Sequence, residues 1–144
     1  MTQQKIAYHI LRVTLGITFI WVSVMIFQEP VLWSGFIDPW VENLIPIELE
    51  TMMKITAGLD LLIGLLIIAD KWTWIVSLIA SLHLLTILIG SSIDTITVRD
   101  IGLLGAAVAL TLLSAPTKFF RLKKQEAQAP DLQSFAKAGQ DENQ

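Results

Sequence analysis

The sequence contains no cysteine and only two histidines among its 144 residues. Without thiols the chain can form no disulfide, perform no thiol redox chemistry and hold no cysteine-ligated zinc or iron–sulfur centre. Charged residues are also scarce: they make up 16% of the chain, whereas about 25% is usual in soluble domains. Hydrophobic residues account for 53%. This composition indicates an integral membrane protein.

The apolar residues form four long runs, which predict four transmembrane helices. The runs cover residues 6–27, 52–69, 74–90 and 101–115. A spanning helix needs about 20 residues, so these four leave no room for a second globular domain. The first run is too long for a signal-peptide core, and no small-residue cleavage site follows it. We therefore predict an all-α, antiparallel four-helix membrane domain over 1–116 and a basic, then polar, disordered cytoplasmic tail over 117–144.

The distribution of Lys and Arg predicts the orientation of the helices. Residues 117–124 carry four basic residues, whereas residues 28–50 carry five acidic residues and no basic one. Basic residues concentrate on the cytoplasmic side of inner membranes. The expected location is the inner (plasma) membrane, as a multi-pass protein with both termini in the cytoplasm.

The segment between the first two runs predicts short helices at the extracytoplasmic surface. It contains three prolines, which argue against one continuous helix, and it is too apolar for a free loop. Asp38 followed by Pro39 is typical of a helix start. We expect Trp33, Phe36 and Trp40 either to form a lid over a cavity or to anchor the segment in the headgroup layer.

Asp60 and His83 are ionisable residues near the middle of the second and third runs. Asp60 lies ten residues before Asp70, and His83 lies twelve residues after Lys71. At about 1.5 Å per residue, both lie about 15–18 Å from the turn between their helices, so they are predicted to pair. Two interpretations remain open: a structural pair, or a site that binds a ligand or handles protons. Arg12 on the first helix is either a third member of this site or a snorkelling anchor.

The fourth run is preceded by charged residues and is rich in small ones. Asp94, Arg99 and Asp100 form a predicted outer polar cluster, with Arg99 and Asp100 as a surface pair at a helix start. This cluster, Arg12, Asp60 and His83 would be the members of any proton or ion pathway. Gly102 and Gly105 are expected to let the fourth helix pack closely. No metal site is predicted, and histidines at different depths argue against a bis-histidine haem.

Four stretches together resemble the DoxX-like family of small four-helix bacterial membrane proteins. They are LRVTLGITFIW (11–21), WSGFIDPWVENL (33–44), ITAGLDLLIGLLII (55–68) and RDIGLLGAAVAL (99–110). The sequence departs from the family pattern in three places. Asp60 stands where Glu is usual, Asp38 replaces the first loop proline, and Phe27–Gln28 replaces a glycine–lysine pair.

The resemblance implies a small accessory or subunit of a membrane redox complex that works near quinone, because the family takes its name from a subunit of a thiosulfate:quinone oxidoreductase. Catalytic residues are not assigned and no covalently bound cofactor is expected. The chain would be at most a subunit that carries no electrons itself. Expected partners are the lipid bilayer and either a redox protein or further copies of the chain, but not nucleic acid. The alternatives are a non-enzymatic scaffold that binds lipid or a partner, and a proton or ion pathway.

Overall fold

The computed structural model describes residues 2–44, 46–91 and 95–116, and the helices all lie in the first of two units, Met1–Ser114. The helices are α1 (Gln3–Gln28), α2 (Pro30–Ser34), α3 (Pro39–Glu42), α4 (Leu49–Ile68), α5 (Thr73–Gly90) and α6 (Thr95–Ser114). The predicted tail, 117–144, and Asp94 lie outside the described residues.

Four of these helices, α1, α4, α5 and α6, are long and apolar enough to cross a membrane. The prediction of an all-α four-helix bundle is therefore confirmed, and the chain is a multi-pass membrane protein. Three of the four predicted spans agree with the helices to within three residues at each end. The fourth spanning helix, α6, begins at Thr95 instead of residue 101. Arg99 and Asp100 therefore lie inside α6 and not at its start.

The bundle consists of two helix pairs, because α1 packs most extensively against α4 and α5 against α6. The first pair meets at two glycines. A Cβ built on Gly64 would lie 2.8 Å from the carbonyl oxygen of Gly16, so the two backbones are in direct contact. About two turns away, the buried Ser23 hydroxyl donates to the carbonyl of Ala57 at 2.7 Å. Small residues and interhelical hydrogen bonds are the usual means of packing helices in lipid.

The second pair uses different contacts. The Thr111 hydroxyl on α6 donates to the Ser77 hydroxyl on α5 at 3.0 Å, and Leu110 is fully buried in the core cluster that includes Val76 and Ala80 of α5. Gly102 and Gly105 are exposed, and a Cβ on either would meet no atom within 4 Å. The prediction that these two glycines allow close packing in this bundle is therefore wrong.

The α2–α3 segment, residues 29–44, touches both helix pairs at one end of the bundle. α2 packs against α4. The backbone N–H of Asp38 donates to the carbonyl of Gly90 at 3.0 Å, and Ile37 pairs with Ser91 in an isolated antiparallel bridge. Asp38 precedes α3 and Pro39 occupies its first turn, as the sequence predicted. The segment is thereby fixed to the carboxyl end of α5.

Candidate functional site

Asp60 and His83 meet inside the bundle. His83 Nε2 lies 3.0 Å from Asp60 Oδ1, and the two side chains are 14% and 4% exposed. The predicted contact between α4 and α5 is therefore present. The two groups are at ion-pair distance without the alignment of a regular hydrogen bond, and neither atom has another hydrogen-bond partner among the described residues. Both atoms can therefore interact with a further polar group.

The pair lies in the wall of a cavity of about 360 Å³. Ligand cavities in proteins are typically about 300–1,000 Å³ and mostly apolar, with a few polar groups that fix orientation. Here the remaining wall comes mainly from apolar side chains of the long helices and of the α2–α3 segment. These include Phe19, Val22, Ile26, Met53, Leu84 and Leu103.

A second pair of charged residues, Arg99 and Asp100, lines the same cavity. Arg99 Nη2 lies 2.8 Å from Asp100 Oδ1, and Arg99 Nε also donates to that oxygen at 2.9 Å. Asp100 is only 4% exposed, so the prediction of a surface pair is wrong for this residue. A carboxylate that is removed from water needs such a partner. The remaining member of the predicted outer cluster, Asp94, is outside the described residues.

The aromatic residues of the α2–α3 segment are divided between cavity and surface. Trp33 and Phe36 are half-buried and line the cavity, with their rings in an edge-to-face contact at 6.0 Å between centroids. The Arg99 guanidinium carbon lies 5.8 Å from the centre of the Trp33 ring, a cation–π arrangement. Trp40 is 51% exposed and is not part of the cavity wall. The cavity surface of the segment is instead completed by Ile37 and Val41.

Arg12 lies at the carboxyl end of α4, away from the α2–α3 segment. Its Nη1 donates to the carbonyls of Ile67 and Ile68 at 3.0 and 2.7 Å. These are among the last carbonyls of α4, which have no partner within the helix, and a cation is favourable beside the negative end of the helix dipole. Arg12 is not a member of the cavity wall, so the structure does not bring it together with Asp60 and His83.

The carboxylate of Asp70 joins Arg12 at this end. Thr73 and Tyr8 donate hydroxyl hydrogen bonds to Asp70 Oδ1 at 2.8 and 3.0 Å, and Arg12 Nη1 is 3.6 Å away. The hydrogen bond from Thr73 lowers the pKa of Asp70 below its ordinary value, and Tyr8 and Arg12 act in the same direction against partial burial. Asp70 and Trp72 have φ of 56° and 51°, so this tight turn uses left-handed backbone at two positions.

Sequence analysis missed the hydroxyl partners of Asp70 and the contribution of Ile37 and Val41 to the cavity. Thr73 was detectable, because its hydroxyl lies only three residues from Asp70 in the chain. Tyr8 was not, since its contact joins residues 62 apart in the chain.

Among the described ranges there is no group of three or more His, Asp or Glu side chains that could hold a metal ion. Comparisons with protein-family models, with curated proteins and with solved structures found no match to this chain.

Proposed function

We propose that this protein binds the headgroup of a quinone in the cavity and acts as an accessory or subunit of a membrane redox complex. The observation that carries the proposal is the Asp60–His83 pair, which has no further partner among the described residues, in the wall of a mostly apolar cavity at the interior of a membrane bundle. Ionisable residues inside membranes are costly, and they commonly mark ligand or proton sites.

The residues of the cavity fit a quinone headgroup. Such a head is a flat, largely apolar ring with a carbonyl oxygen on each side. Because the Nε2–H of His83 makes no aligned hydrogen bond to Asp60, it can donate to one carbonyl, and Asp60 beside it would take up or release a proton. Trp33 and Phe36 offer aromatic surfaces to the ring. A bound quinone would supply reversible two-electron, two-proton chemistry at this position.

The protein's own contribution would be binding, orientation and proton handling. Asp60 Oδ1 lies 3.0 Å from His83 Nε2, close enough to exchange a proton with the imidazole. Since the sequence has no cysteine and two histidines, we propose that a partner protein carries the electrons. We also propose that the chain belongs to the DoxX-like family, on the basis of the four sequence stretches and of the four-helix bundle with its short-helix connection.

The test uses the two histidines as a matched pair, because His83 lines the cavity and His9 is exposed on α1. We expect purification in mild detergent, followed by mass spectrometry, to find quinone on the wild type and on His9→Leu. The His83→Leu variant should retain about tenfold less quinone than the wild type. Loss of one hydrogen bond weakens binding by about 1.4 kcal/mol, which corresponds to a tenfold lower affinity.

A second candidate, a non-enzymatic scaffold that binds lipid, is favoured by the apolar walls of the cavity. Phospholipid without quinone on the wild type, and equal retention by both histidine variants, would support the scaffold and contradict quinone binding. A proton or ion pathway would require Arg12 to join the cavity residues, whereas its hydrogen bonds are to the end of α4.

We further propose that the protein lies in the inner membrane with both termini and the Asp70 turn in the cytoplasm, and the α2–α3 segment outside. The four basic residues of 117–124 and the acidic, Lys- and Arg-free stretch 28–50 support this orientation. A phosphatase reporter, active only outside the cytoplasm, should be active when inserted after Asn43 and inactive when fused after Lys124. The reverse pattern would overturn the orientation.

A further inference from the structure

The wall of the cavity is incomplete between α4 and α5. Ile55 and Leu59 on α4 and Thr86 on α5 line the cavity, and all three are also exposed on the outside of the bundle. Ile55 is 61% exposed and Leu59 38%. The opening follows from the pairing of the helices, because α4 contacts α5 much less than it contacts α1.

The cavity is covered on the side of the α2–α3 segment. Trp33, Phe36 and Ile37 form that wall, and the hydrogen bond from Asp38 N–H to the Gly90 carbonyl fixes the segment across the end of α5. The uncovered side is therefore the flank of the spanning helices, where the surroundings are lipid acyl chains.

We infer that the cavity takes its ligand from the bilayer through the gap between α4 and α5, and that the ligand carries a long apolar tail which stays in this gap. The inference rests on the proposed function, since it places the head at Asp60 and His83. It specifies the ligand as a membrane-dissolved quinone with an isoprenoid-like tail, and it makes Ile55 and Leu59 the residues that accommodate the tail.

The tail is not expected to add hydrophobic affinity, because lipid chains are as apolar as the side chains of the gap. Its requirement is steric: a tailed ligand can seat its head only if the gap is open. A head without a tail leaves the gap empty once it is bound, so its affinity at equilibrium does not depend on the gap. Filling the gap should therefore discriminate between the two ligands, which a general loss of folding would not do.

The test fills the gap with the double variant Ile55→Phe/Leu59→Phe. The control is Leu62→Phe/Leu65→Phe, which adds the same groups to the same helix. Leu62 and Leu65 are 53% and 51% exposed and do not line the cavity. Both are made in a protein that keeps Trp33 while the other tryptophans (Trp21, Trp40, Trp72 and Trp74) are replaced by Phe. Saturable quenching of Trp33 then reports binding in phosphatidylcholine nanodiscs.

The probes are a decyl-tailed benzoquinone and the same benzoquinone without the tail. We expect the gap-filling variant to bind the tailed probe about tenfold more weakly, as overpacking of a filled site predicts, while the tail-less probe binds as in the control. Equal effects on both probes, or no effect on either, would overturn the inference but leave quinone binding intact. If the protein that keeps only Trp33 and carries neither phenylalanine pair bound neither probe, the proposed function would be overturned instead.

Discussion

Replacing Asp60 with leucine is expected to destabilise the bundle more than replacing Asp60 and His83 together. Each single change leaves the other group in the cavity wall without a partner, since neither atom of the pair has another hydrogen-bond partner among the described residues. A buried polar group that loses its partner costs about 1–3 kcal/mol. The double change removes both polar groups, and such replacements by apolar residues are often neutral.

Unfolding with SDS in mixed micelles measures these free energies. The control is the exposed pair Glu50–Lys54 on α4, whose charged atoms are 2.6 Å apart with side chains 40% and 51% exposed. The corresponding leucine variants should each change stability by about 0.5 kcal/mol or less, because water screens surface pairs. If the loss of stability in the Asp60→Leu/His83→Leu protein equalled the sum of the losses in the two single variants, the two residues would not be energetically coupled.

The same variants separate a structural role from a functional one. The double variant should be stable yet should not bind quinone. Asp60→Asn keeps the size of the side chain and removes its ionisation, so it should bind the head more weakly if a proton is held there. Full binding by Asp60→Asn would show that ionisation is irrelevant. Full binding by the double variant would make the pair structural only.

Gly64→Ala is expected to weaken the pairing of α1 and α4, whereas Gly58→Ala on the same helix is not. A Cβ on Gly64 would lie 2.8 Å from the carbonyl oxygen of Gly16 and 3.0 Å from the backbone nitrogen of Ile20. Backbone atoms cannot move aside by a change of rotamer, so the helices must separate. Overpacking of this kind costs about 1–3 kcal/mol.

Gly58 is the matched control, because it is exposed and a Cβ there would meet no atom within 4 Å. Its alanine variant should lie within about 0.5 kcal/mol of the wild type. The SDS unfolding assay described above applies to both. Equal losses at the two positions would show that the contact with Gly16 does not determine the result.

Hydropathy was sufficient to predict the four spanning helices, and the regular rise of a helix was sufficient to predict the contact between Asp60 and His83. A helix rises by a constant amount per residue, so the two residues at similar distances from a short turn had to lie at similar depths. The start of α6 could not be found in this way. Arg99 and Asp100 resemble loop residues by charge, and the ion pair between them explains why an acid at 4% exposure is tolerated in a helix.

Which face of a helix turns inward was harder to predict than where the helix lies. Gly64 and Gly105 both stand among apolar residues, yet Gly64 contacts α1 and Gly105 faces open space. Trp33 and Trp40 are similar in the sequence, yet only Trp33 lines the cavity. These choices depend on the rotation of each element against its neighbours, which composition and spacing in a membrane sequence do not determine.

The position of the α2–α3 segment has a thermodynamic consequence, because the segment bridges the two helix pairs. α2 packs on α4, while the Asp38 N–H is bonded to the Gly90 carbonyl of α5. Moving the pairs apart therefore works against a backbone hydrogen bond, which contributes about 0.5–1.5 kcal/mol. A molecule that binds the outer face of the segment and favours one separation of the helix pairs therefore changes the affinity of the cavity for its ligand. By thermodynamic linkage, the ligand changes the affinity of the segment for that molecule by the same factor.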